Sequence, residues 1–66
     1  MAGESEVYFE VTVIGGSVKV AAVDAATAIE VAVVAPAGTS MAHLQRLGLA
    51  KLKARIARER REGRIP

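Results

Sequence analysis

The chain has no cysteine and no tryptophan, and only one tyrosine, one phenylalanine and one histidine in 66 residues. Each shortage excludes something. Without cysteine there is neither a disulfide nor a thiolate metal site, and a single histidine cannot assemble an imidazole-based zinc centre. With Tyr8 as the one candidate for an exposed aromatic, base stacking along a single nucleic-acid strand is a poor expectation. No stretch reaches the roughly 18 uninterrupted apolar residues that a membrane span requires. The opening MAGESEVYFE is acidic where a secretory leader would be basic and then apolar. Together these features predict a soluble, cytoplasmic protein with no bound cofactor and no metal. A chain this short buries only about 60 % of its unfolded surface. With the usual staples missing, oligomerisation is the remaining natural route to extra stability.

Charge is present but unevenly placed. The formal net charge is +2. In residues 1–40, Glu4, Glu6, Glu10, Asp24 and Glu30 stand against Lys19 alone. In residues 41–66, Arg46, Lys51, Lys53, Arg55, Arg58, Arg60, Arg61 and Arg64 stand against Glu59 and Glu62. An acidic front half and a basic back half suit either a polyanionic partner for the tail or attraction between copies of the chain.

The front half alternates. From Val7 to Ile14, Val7, Phe9, Val11 and Val13 fall on one side and Tyr8, Glu10, Thr12 and Ile14 on the other, the period of a half-buried strand. After Gly15-Gly16 the alternation resumes, with Val18, Val20 and Ala22 opposed to Lys19, Ala21 and Val23. A two-residue Gly-Gly loop is a hairpin signal, and a type I′ turn needs positive φ at both positions. That register pairs Val13 with Val18, Val11 with Val20 and Phe9 with Ala22 on one face. A phosphate cradle would instead need the glycines to lead into a helix N-terminus, and here they lead into a second strand. The segment DAATA makes a second reversal through the Asp24 and Thr27 side chains. A third strand follows over 29–34, with Ile29, Val31 and Val33 inward, and Pro36 ends it.

Thr39 or Ser40 is a candidate N-cap for a helix over about 41–62, with Gly63 beyond its end. On the helical wheel Met41, Leu44, Leu49, Leu52 and Ile56 form one arc that includes Gly48, and this arc belongs on the Val/Phe face of the sheet. The glycine within it suggests a close helix–sheet approach. A helix of about 22 residues is ~33 Å long against ~26 Å for an eight-residue strand, so its last turns, with Arg58 to Glu62, overhang the sheet.

The run GGSVKV, Asp24 and Thr27 before Glu30-Val31, then Ala35-Pro36 and a Leu/Ala/Lys/Arg helix resembles a family of short bacterial proteins of unknown function, mostly alphaproteobacterial, with a strand-strand-strand-helix layout. The resemblance covers residues 6 to about 56. It implies the fold and carries no activity. Members tend to have glycine near Ala28, so it leaves the shape of the second turn open.

No constellation of catalytic residues emerges. His43, the only imidazole, falls opposite the apolar arc and belongs in solvent. Glu10 and Glu30 point away from the core and Asp24 is a turn residue, whereas general acid–base work wants a carboxylate in an apolar pocket. One helix on three strands leaves little room for the roughly 300 Å³ of a small-molecule site, so no small-molecule substrate is expected and the chain is read as no enzyme. Two features have functional reach. The outer sheet face, with Tyr8, Ala21, Val23, Ala32 and Val34, is apolar where a solvent face would alternate, and suits a homodimer with sheets packed about 10 Å apart. The helix cations Arg46, Lys53, Arg58, Arg60 and Arg61 form a candidate surface for nucleic acid or another polyanion. Three strands with a basic helix are similar to part of the double-stranded RNA-binding fold, whose first helix is missing here. The plainer account is that cations favour a helix C-terminus and stay solvated.

The expected architecture is therefore α+β: a three-stranded antiparallel meander (β-β-β-α) with one C-terminal helix on one sheet face. Residues 1–5 form a loose N-terminus, 6–62 a single domain and 63–66 a tail. The expected role is a small interaction module that self-associates, with duplex RNA or DNA backbone binding as the alternative.

Overall fold

In a computed structural model describing residues 6–66, three strands form one antiparallel sheet in the order β1-β2-β3, followed by one helix. The elements are β1 (Val7–Ile14), β2 (Ser17–Asp24), β3 (Glu30–Pro36) and α1 (Met41–Arg61). The loose N-terminus expected over residues 1–5 lies outside the described residues.

The β1–β2 register is the expected one, with Val13 opposite Val18, Val11 opposite Val20, Phe9 opposite Ala22 and Thr12 opposite Lys19. The turn differs in type. Positive φ occurs at Gly15 (57°) and not at Gly16, which is the pattern of a type II′ turn. Both turns match the right-handed twist of the strands, so the pairing is unaffected by which one is used.

In the second reversal Asp24 is buried and accepts from the Thr27 backbone N–H at 2.9 Å and the Thr27 hydroxyl at 2.7 Å. The Ala28 N–H donates to the Asp24 carbonyl at 2.8 Å. This closed turn forces Ala28 to φ 62°, the left-handed region that favours glycine. The third strand is shifted relative to expectation. It starts at Glu30 and takes in Ala35 and Pro36, because the Ala37 N–H still reaches the Gly16 carbonyl at 2.8 Å and extends the ladder past Val34. Ile29 lies just before the strand yet packs on the core as expected.

Ser40 caps the helix, its hydroxyl accepting from the His43 N–H at 3.3 Å. Leu44 and Leu52 are fully buried, Leu44 against Val18 and Val20 and Leu52 against Ala22 and Val31. Burial of each leucine contributes about 2 kcal/mol from apolar area alone. Met41, expected in the buried arc, is exposed, since it occupies the first turn beyond the packed part of the helix. Gly48 is buried at the helix–sheet contact. A methyl group there would lie 3.7 Å from the Ala22 Cβ and 3.9 Å from the Phe9 ring, ordinary van der Waals contact, so the approach does not require glycine.

The helix packs mainly over β2 and β3. On the helix side of β1, Val7 and Phe9 reach the core, but Val11 is 47 % and Val13 68 % exposed. Their alternation is that of a core face, and the position of the helix leaves half of that face bare.

Candidate interaction site

The sheet surface away from the helix is built from alternate residues of three strands. The register puts Tyr8 opposite Val23, Glu10 opposite Ala21, and Ala21 opposite Ala32, with Lys19 between Thr12 and Val34. Small residues in the middle leave the large ones raised around them. Tyr8 is 54 % and Val34 68 % exposed, Val23 and Ala32 are half-buried, and Ala21 at the centre shows only 3 % of its surface. The expected set is therefore one contiguous surface, with Ala21 as its floor rather than as a contact. Ile14, also on this side, is exposed at the hairpin end. The Tyr8 hydroxyl donates to the Glu6 carboxylate at 3.2 Å and so stays polar at its tip while the ring remains open.

The cations are not one patch. At 100° per residue Arg46, Lys53 and Arg60 share one flank, and Arg58 lies on the other, with Arg61 nearer the solvent side. The structure bears this out in the walls they line. Lys53 and Arg60 border a groove of about 700 Å³ between α1 and the Val7/Phe9 end of β1, whereas Arg58 and Arg61 stand with Lys51 and Arg55 beside Val31. A groove of this size was not expected from the sequence. It exists because the helix covers β2 and β3 and leaves the first strand as a second wall. Its carboxylate, Asp24, is held by Thr27, and its floor is Leu49, Leu52 and Ile56. His43 is exposed on the first turn of the helix, away from this groove.

Ion pairing removes some of the positive charge from use. Glu59 is buried near the helix end and accepts from Arg64 Nε at 2.6 Å, Arg64 Nη2 at 2.9 Å and Arg55 Nε at 3.2 Å. Arg64 also bonds Glu62. The hydrogen bonds from Arg64, reinforced by those from Arg55, hold the Glu59 carboxyl down at about 2, against the opposing effect of burial. The same contacts push the Arg64 guanidinium up. Arg60 Nε donates to the Pro66 carbonyl at 2.9 Å, so the tail folds back on the last turn. Arg46, Lys53, Arg58 and Arg61 form no ion pair among the described residues. Sequence reasoning missed the Glu59 cluster, although Arg55 and Glu59 at i and i+4 are a visible helical pair.

Fold and surface define a small α+β protein, a three-stranded meander roofed by one helix. The chain belongs to the family described as domain of unknown function DUF6898, whose model matches residues 4–59. No curated protein and no solved structure matches the chain. No helix among the described residues is long and apolar enough to cross a membrane.

Proposed function

We propose that this chain is a small interaction module that self-associates through the sheet surface opposite the helix. The observation that carries the reading is the exposed apolar set of Tyr8, Val34 and Ile14 around the small residues Ala21 and Ala32. Among the described residues nothing covers this side of the sheet, and open apolar surface of this kind gains from a partner. Ala21 and Ala32 let two such faces approach closely. Val23→Lys and Val34→Lys each place a charge in that contact. Sedimentation velocity should show association weakened by each substitution and most in the double variant; unchanged association in the double variant would remove this face as the interface.

A second reading is favoured by the unpaired cations. Arg58 and Arg61 beside Val31, or Arg46 and Lys53 on the opposite flank, could bind a phosphate backbone. Affinity for duplex RNA or DNA would then fall steeply between about 50 and 200 mM salt as counterions are released. Changing Arg58 and Arg61 to Ala tests one side and changing Arg46 and Lys53 to Ala the other; unchanged affinity in both, or no binding at low salt, would end this reading.

A further inference from the structure

The sheet has two open edges, and they are not alike. The Ala25 N–H bonds the Glu6 carbonyl at 2.9 Å. In an antiparallel ladder this fixes the alternation: Tyr8, Glu10, Thr12 and Ile14 bond β2, and Val7, Phe9, Val11 and Val13 direct their N–H and C=O groups to the open edge. On the other side the Ala37–Gly16 and Asp24–Ile29 bonds fix that Glu30, Ala32, Val34 and Pro36 face outward. That second edge is blunted. Pro36 has no N–H to offer, Lys51 Nζ occupies the Ala32 carbonyl at 2.7 Å, and Glu30 adds a charge. These are the usual devices against strand addition. Among the described residues the first edge has none of them. Over eight residues it carries a single charge, Glu10, no proline, and exposed apolar side chains on both faces: Val11 and Val13 on the helix side, Tyr8 and Ile14 on the other.

We infer that β1 pairs edge to edge with β1 of a second copy, antiparallel about a two-fold axis at Val11, to make one continuous six-stranded sheet. The occupant is a second copy because the strand is complementary to itself in one register. With Val11 opposite its own mate, Phe9 meets Val13 and Tyr8 meets Ile14, while Glu10 faces Thr12; apolar meets apolar and no like charges oppose. A two-residue shift either way keeps the faces but loses this match, setting Glu10 against Glu10 in one direction and Glu10 against Ile14 in the other. The residues whose backbone groups are free are the ones this register joins. The Val11–Val11, Phe9–Val13 and Val13–Phe9 pairs supply about six N–H···O bonds, two for each bonded pair. The contact is isologous and closes at two copies. It rests on the reading that the chain self-associates and uses a different surface, so the two contacts can be broken separately.

Amide hydrogen exchange, read residue by residue by NMR on the intact chain at low and high protein concentration, tests the pairing. The amides of Phe9, Val11 and Val13 should be slowed by about 100-fold at the concentration where the mass doubles, in step with dimer formation. Val11→Pro removes one edge donor that the monomer does not use, so it should abolish the concentration-dependent slowing of the Phe9 and Val13 amides in a folded chain, while Val34→Lys, which breaks the other contact, leaves that slowing intact. A dimer whose Phe9, Val11 and Val13 amides still exchange freely overturns the edge contact and leaves the outer-face reading standing. Free exchange together with a monomeric mass at every concentration overturns both. If Val11→Pro fails to fold, the wild-type exchange pattern decides alone.

Discussion

The first and third strands have nearly the same sequence character and opposite environments. Both alternate apolar with mixed residues, and both flank β2 at a sheet edge. On the helix side, however, Val31 is buried and Val33 packs on the core, whereas Val11 and Val13 face solvent. At the edges, β3 is closed off by Pro36 and Lys51 and β1 is left open. The difference comes from where the single helix lies. A helix about 10 Å across covers two strands spaced about 4.8 Å apart and cannot cover a third. One strand of the three must be left, and in this chain it is β1.

Truncating equivalent apolar groups on the two sides should separate the two strands most strongly. Leu52→Ala empties a fully buried position over Ala22 and Val31 and should cost about 2–5 kcal/mol, enough to unfold much of a chain this small. Val13→Ala should change the stability of the monomer by less than about 0.5 kcal/mol. Urea melts at one fixed, low protein concentration read both values, and equal costs would mean that the helix covers β1 after all.

Next in size is the anchor of the helix end. Glu59 is held at about 2 in the folded chain against 4.5 for an ordinary glutamate. Because the folded value is the lower one, its stabilising effect is complete above about pH 5 and is lost as the pH falls toward 2. The melting temperature should drop across that window, and Glu59→Gln should flatten the drop. A smaller effect of opposite sign is expected at the helix–sheet contact. Gly48→Ala adds a methyl that meets Ala22 and Phe9 at normal distance, so helix propensity should win and raise stability by up to about 1 kcal/mol. The smallest is in the turn into β3. Ala28→Gly relieves a left-handed alanine, worth roughly 1–2 kcal/mol, but gives back roughly 0.4–1 kcal/mol in unfolded-chain entropy, for a net gain of about 0.5 kcal/mol.

The same contrast separates what could be read from the sequence from what could not. Strand faces, the β1–β2 register, the Ser40 cap and the buried Leu44 and Leu52 follow from local rules of periodicity, turn length and capping, and the structure has them all. The positive φ of Ala28, by contrast, is not announced by its residue type, since alanine rarely adopts it. What periodicity does not encode is lateral position. Val11 and Val33 look equivalent as inward residues, and only the placement of the helix across the sheet decides which is covered. The groove beside Val7 and Phe9 and the division of the cations into two flanks follow from that same placement. Lys51 reads as one more helix cation until its reach to the Ala32 carbonyl is seen, 19 residues away along the chain. The outer face was legible as a set, because alternation alone assigns Tyr8, Ala21, Val23, Ala32 and Val34 to one side, but not which of them stand proud.

On this reading a second copy of the chain completes its sheet. Sedimentation equilibrium of the intact protein over a wide concentration series, at low and at high salt, tests it most directly. The predicted result is reversible association that survives high salt, since both proposed contacts are apolar and backbone-mediated. A mass of 6.9 kDa at every concentration and salt would contradict it.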